Sequence, residues 1–560
     1  MLSQICKSCS EQFQITDDDL LFYEAVSPTF NGKKYLVPPP QECPECRLQR
    51  RMCFRNERNL YRTRCGLSGK TIISTFSPEK GYIVYDQEEW WSDKWDSLKY
   101  GRDFDFSKTF AEQIVSLYRD VPHVSLLNIN TENSYFTNYA SNQKNSYLIF
   151  GAANNEDCMF GKFVTSCKDC MDVLSCNACE LCYEGVKCQR CYNCRYFANS
   201  RECSDCTMIS ECIGCQNCIG CFGLRHKEYY VFNQHVGKEK FEAIKNEYKS
   251  LTPDKIAYLK TQLNTLASRL PHPHAHIYNS ENCTGEFINN CKNCQYCFNC
   301  LSDGEDSKYM AFVPKGIRSQ DCTFCAPDGT ELCYYTTCNT RIRNSMFNYL
   351  FWFGDSVYYS MECFNSSNLF GCVGLRRNEY CILNKQYSPQ DYEAMVAKII
   401  EHMHSTGEWG DFFPRHASPF GYNETTANEY FPLTREEAVA KEFKWFDEKS
   451  ADGEAKIPAY KVPDEITQTN DDICSVNLIC ASSGKPYKII PQELMLYRRM
   501  NVCVPHKSPD QRHKERMELF NPLRLWDRSC AKCGKTIQTT YAPDRPEIVY
   551  CEKCYLESVY

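Results

Sequence analysis

The sequence predicts a mainly β, multidomain protein. Small ribbon modules at both ends flank two narrow β-solenoid-like cysteine-rich repeat arrays, each capped by an α-helix. Three observations predict this. Cysteines recur every twelve residues through the middle of the chain, in one column from Cys170 to Cys218, a second from Cys167 to Cys215 and a third through Cys176, Cys188 and Cys212. CxxC pairs cluster at both termini. Long segments also recur at constant offsets, which marks duplicated units.

Bulk properties bound the class. The chain has 560 residues, forty cysteines, a net charge of −7 and 14% aromatic residues. That length predicts three or more domains, and the aromatic content excludes a disordered thiol-rich coil. No apolar run is long enough to span a membrane. The N-terminus, MLSQICKSCSEQF, has no basic head followed by an apolar stretch. A cytoplasmic location is therefore expected, where many cysteines imply metal ligands or buried thiols before disulfides. The acidic balance argues against non-specific coating of nucleic acid.

Taken in order, residues 1–62 carry Cys6-Lys-Ser-Cys9 and Cys43-Pro-Glu-Cys46. Two CxxC turns that present four thiolates to one point make a closed tetrahedral zinc site. This segment therefore reads as a zinc ribbon followed by an Arg-rich helix. Arg47, Arg51, Arg55, Arg58 and Arg62 fall at helical spacing on one face, a pattern suited to RNA or phosphate. The competing reading pairs these arginines with acids of the same chain, such as Asp17, Asp18 and Asp19.

Residues 63–122 read as a ribbon copy that has lost its metal, plus a linker. Residues 65–90 align with 530–555 at a constant offset of 465, but Ser68, Asp86 and Glu89 replace three ligand cysteines. Trp90, Trp91 and Trp95 read as core that seats this copy against the solenoid.

Residues 123–237 form the first array. Its period begins before the cysteines, so one column runs Ser134, Ser146, Cys158, Cys170 and onward, and Ser200 fills a gap in another. Small residues throughout imply a tight interior in which cysteine acts as a small hydrophobe. Neighbouring cysteines three apart can all point inward only if the chain turns a corner between them, which a narrow solenoid does. Residues 238–270 read as a capping helix, 271–388 as a second and looser array, and 389–404 as its capping helix. The cap sequences from Cys221 and Cys372 match at an offset of 151. Residues 405–472 read as a connector.

Residues 473–523 read as an altered zinc ribbon, in which 480–528 echo 6–64 and Cys503-Val-Pro-His506 stands for the second knuckle. Cys480, Cys503 and His506 are its candidate ligands, with Cys474 as a fourth. Residues 524–560 are a C-terminal zinc ribbon with Cys530, Cys533, Cys551 and Cys554 as ligands. About two structural Zn²⁺ ions are expected, plus any held by the altered ribbon.

Two resemblances add to this. The runs CKSCSEQFQITDDDLLFY (6–23) and PPPQECPECRLQRR (38–51) resemble the zinc-ribbon module of many bacterial proteins. WWSDKWD (90–96), YGRDFDF (100–106), FGCVGLRRNEYCILNKQY (370–387), GEWGDFFP (407–414), SPFGYNET (418–425) and YAPDRPEIVYCEKCY (541–555) resemble a group of cysteine-rich zinc-ribbon proteins of candidate-phyla-radiation bacteria. The resemblance implies architecture and no activity.

No HExxH, phosphate loop, GxGxxG or GxSxG motif is present, so no catalytic residue is assigned. The expectation is a zinc-binding, non-enzymatic scaffold or adaptor for a macromolecule: RNA, the ribosome, the transcription machinery or another protein. Neither a membrane nor a small-molecule substrate is expected. The rival is a thiol-based metal-handling or redox protein that uses the cysteine array.

Overall fold

In the computed structural model, residues 2–325, 328–447 and 456–560 are described. Mainly β structure dominates, with a long solenoid between residues 128 and 382. None of the described helices is long and apolar enough to cross a membrane.

The solenoid follows from a three-residue rule. From Asn130 to Phe232 every third residue has a positive φ, between 45° and 71°. Each such residue turns a corner, so twelve residues make a square coil with three residues per side. Parallel pairing joins residues twelve apart, as in Met159↔Met171 and Tyr183↔Arg195. One residue of every three faces the lumen. The column predicted from Cys170 to Cys218 is buried, with each member 0% exposed. The corners favour Asn and Asp, which tolerate this backbone, and their amides form ladders. Asn133 donates to Asn145 at 2.9 Å and Asn193 to Asp205 at 2.7 Å.

A lumen this narrow dictates its contents. Two of its four columns are mostly cysteine, and a third carries Cys176, Cys188 and Cys212 with Ser200 between them. The fourth alternates in size through Gly161, Val173, Gly185 and Phe197, because a Cβ on Gly185 would lie 2.7 Å from the Phe197 ring. Each thiol also donates to the carbonyl two residues back, as Cys170 does to Lys168 at 3.2 Å and Cys206 to Ser204 at 3.1 Å. Ser200 makes the same bond to Ala198 at 2.7 Å. That shared hydrogen bond explains why serine substitutes in these columns.

The second array is irregular at first and then keeps the three-residue rule without a break from Leu332 to Leu383. It lies beside the first array and runs antiparallel to it. Tyr139 meets Tyr349, Phe163 stacks on Phe324 and Phe312, Lys187 sits over Phe287, and Arg201 sits over Tyr278.

Among the described residues twelve α-helices stand outside the coils: α1 (Asp17–Val26), α2 (Pro44–Met52), α3 (Gln87–Trp91), α4 (Phe110–Asp120), α5 (Lys238–Glu247), α6 (Pro253–Ala267), α7 (Pro389–Thr406), α8 (Thr426–Tyr430), α9 (Arg435–Ala440), α10 (Pro491–Met500), α11 (Pro509–Met517) and α12 (Glu552–Val559). The first cap is thus two helices, α5 and α6. Each array ends in a short antiparallel hairpin, Glu228–Val231 with Gln234–His235 and Glu379–Ile382 with Lys385–Gln386. These hairpins stop the parallel stacking before α5 and α7 begin.

The four ribbons are one motif. Each has a hairpin whose turn closes from the first cysteine's N–H, in Cys6→Glu11, Cys65→Lys70, Cys480→Lys485 and Cys530→Lys535. The next residue then donates to a carbonyl two positions before a helix N-cap, in Lys7→Gln41, Gly66→Val84, Ala481→His506 and Ala531→Val549. The N-caps are Cys43, Asp86, Ser508 and Cys551. This corrects the reading of the third ribbon. Its second knuckle is Ser508-Pro-Asp-Gln511, and Cys503 follows Val502, which bridges Leu251 before α6, and gives its backbone N–H to the Leu251 carbonyl.

The ribbons dock crosswise. The first and second sit on the second array, where Tyr23 packs on Tyr334 and Trp90 on Phe364. The third and fourth sit on the first array, where Tyr497 packs on Tyr183 and Arg225 donates to the Tyr555 hydroxyl. Trp90 is 0% and Trp95 7% exposed, so these two seat the second ribbon as expected, whereas Trp91 remains 36% exposed.

Candidate metal centres

Two groups of four cysteines bring their sulfurs together: Cys6, Cys9, Cys43 and Cys46, and Cys530, Cys533, Cys551 and Cys554. Within each group all sulfurs lie within 4.8 Å of one another. The Cys9–Cys43 separation is 3.7 Å and the Cys533–Cys551 separation 3.8 Å. Four thiolates at about 2.3 Å from a tetrahedral ion stand about 3.8 Å apart, so both groups fit such an ion without rearrangement.

Local folding places these sulfurs. In each ribbon the first cysteine sits in the hairpin turn, where its Sγ accepts the N–H of the third. Cys43 N–H donates to Cys6 and Cys551 N–H to Cys530, each at 3.2 Å. Burial opposes ionisation, but such backbone N–H groups pull Cys530 down to about 6 and Cys6 below the ordinary thiol value. Their neighbours go the other way: burial pushes Cys9 up to about 11 and Cys554 up to about 12. A crowded thiol set of this kind titrates as a unit, and a bound cation relieves its repulsion.

Among the described residues Cys480, Cys503 and His506 do not meet at ligand spacing. Cys480 keeps the turn position and is drawn down to about 7 against the cost of burial, by the Ser483 side chain and nearby backbone N–H groups. Ser483, Ser508 and Gln511 occupy the other three ligand positions, so a further ion at this altered ribbon has no thiolate donor set among the described residues. In the second ribbon Cys65 accepts N–H bonds from Ser68 at 3.4 Å and Asp86 at 3.2 Å, and it likewise lacks partner thiols. Nor do any three array thiols come within 4.8 Å of one another among the described residues.

The arginine face is also corrected. Its helix stops at Met52, so Arg55, Arg58 and Arg62 are not on it. Arg47 and Arg51 are 2% and 0% exposed, and both bind Asp321 of the second array, at 2.8 and 3.0 Å. Arg55 is buried against Glu57, Phe324 and Tyr139. Acids of the same chain do hold these three, as the competing reading has it, but they are Asp321 and Glu57, and Asp19 pairs with Lys308 at 3.0 Å. Arg58 is 17% exposed and reaches Asp510 at 2.9 Å. Arg62 is exposed, as is Arg64 beside it on the strand Tyr61–Arg64.

A second buried fork was missed by the sequence reading. Arg512 and Arg516 of α11 both bind Asp172 of the first array, each at 2.9 Å. The signal was present, because Cys43-Pro-Glu-Cys-Arg47…Arg51 and Ser508-Pro-Asp-Gln-Arg512…Arg516 align at the same offset of 465. Comparison with protein-family models, curated proteins and solved structures finds no match to this chain.

Proposed function

We propose that this protein is a zinc-stabilised, non-enzymatic scaffold whose ribbons lock a rigid double solenoid and present its surface to a macromolecular partner. The observation that carries the reading is the closure of both cysteine groups. Four protein sulfurs fill a tetrahedral ion's coordination and leave no position for substrate, which is the signature of a structural site. Thiolate ligands favour zinc among abundant divalent ions. With Arg47, Arg51 and Arg55 buried, a nucleic-acid partner would meet Arg62 and Arg64, with Lys70 exposed in the adjoining turn.

Metal analysis of the purified chain tests the zinc reading. About two tightly held zinc ions are expected, with one lost on Cys9→Ser and the other on Cys533→Ser. Uptake far beyond two ions would instead favour the rival thiol-based metal-handling role. RNA binding is tested by Arg62→Glu with Arg64→Glu, which should abolish co-purification of nucleic acid; persistence would rule out this surface.

A further inference from the structure

The four ribbons start their helices alike but fix that start in two ways. In α3 and α11 the N-cap side chain accepts a backbone N–H, Asp86 from Glu88 and Ser508 from Gln511. In α2 and α12 the N-caps are Cys43 and Cys551, and neither side chain makes a capping bond. The ribbons with ligand cysteines are therefore the ones whose helices lack a side-chain cap. The ribbons without four cysteines carry a capping residue at the same position.

That exchange has a mechanical reading. A side-chain cap stabilises a helix start, and a nine-residue helix such as α2 is marginal in isolation. Cys43 and Cys46 bracket its first turn, so an ion held by both fixes the conformation that a hydroxyl fixes in α11. Arg47 and Arg51 project from that same helix into Asp321.

We infer that the two metal centres act as latches. Metal holds α2 and α12 in their docked form, one on each array, while α3 and α11 dock without it. Withdrawal of metal therefore loosens the first and fourth ribbons and leaves the second and third in place. The inference rests on the metal reading above.

Hydrogen exchange on the full chain, before and after treatment with a zinc chelator, tests it. Protection of α2 and α12 should fall at least tenfold, with α3 and α11 unchanged. Equal loss in all four helices, or loss in none, overturns the latch. A second variant guards against simple misfolding. Cys43→Ser with Cys46→Gln gives the first ribbon the third ribbon's cap, and α2 should then keep its protection in chelator. If α2 loosens in that variant as in the parent, the idea fails. Metal content separates the two levels: a native chain without bound ions sinks the metal reading itself, whereas two removable ions with indifferent helices sink the latch alone.

Discussion

The first and third ribbons sit in two seats built to one plan and furnished differently. In each, two arginines one helical turn apart close on a single buried aspartate at a positive-φ corner, Asp321 or Asp172. A tyrosine of the preceding helix, Tyr23 or Tyr497, packs on a solenoid tyrosine, Tyr334 or Tyr183. Beyond that the seats diverge. Tyr335 lies under Arg51 in the first, while Glu184 pairs with Arg516 in the third. The first seat adds Asp19 with Lys308, whereas the third adds Glu493 against Arg512. The difference teaches that the fork positions a ribbon and its neighbours set the response to conditions. One seat adjoins a four-cysteine group that could hold a metal ion, and the other adjoins two carboxyls that burial raises.

The largest expected effect comes from breaking the forks. Asp321→Asn leaves two buried guanidiniums without their carboxylate, and Asp172→Asn removes the shared carboxylate of the other seat, where Glu184 and Glu493 still face the two arginines. Each should cost about 3–5 kcal/mol of local stability. Hydrogen exchange should show release of α2 alone in the first variant and α11 alone in the second. If either substitution loosened both helices equally, the seats would not be independent units.

Much of this architecture was legible in the sequence because lumen positions tolerate so few residue types. The twelve-residue columns could be read directly, and the turning of a corner between cysteines three apart followed from geometry. The seats were not legible. Arg47 and Asp321 are 274 positions apart, and no local pattern announces that they meet. The third ribbon was misread because its signal lay in Ser508-Pro509 and the two following arginines rather than in thiols. Cys503 and His506, nearby and chemically plausible, took the place of that pattern. The arginine face was projected beyond Met52 because the spacing stays helical after the helix has ended.

A middle-sized effect sharpens the comparison through pH. Burial lifts both Glu184 and Glu493 to about 7 in the third seat. Each folded-state value lies above the unfolded one, so their contribution is fully present below the unfolded value. It is lost as pH rises through about 7. In the first seat burial also works against Glu42, but Arg50 and Arg415 outweigh it and hold that carboxyl low. Its contribution is present above the unfolded value and is lost only on acidification. His513 of α11 is held down to about 3 by burial, so above pH 6.5 it is neutral when folded and largely neutral when unfolded. Between pH 6.5 and 8 the docking of α11 should therefore weaken by about 1 kcal/mol per carboxyl while α2 stays constant. Glu184→Gln should remove about half of the α11 change and leave the Glu493 part, and parallel profiles for the two helices would contradict the assignment.

The smallest effect lies at the rim and asks whether surface charge separates the seats at all. Arg499, at the end of α10, pairs with Asp169 of the first array at 2.9 Å, and its side chain is 52% exposed. Ala25 holds the matching position in α1, so the first ribbon makes no such contact. An exposed pair gains little in water and loses side-chain entropy, so Arg499→Ala should cost less than about 1 kcal/mol and less still at high salt. The substitution makes the third ribbon's rim resemble the first's while leaving its fork intact. Release of α11 comparable to that in Asp172→Asn would mean that the rim, and not the buried aspartate, carries the docking. A near-silent change would assign the docking to the fork and the difference in response to the groups buried around it.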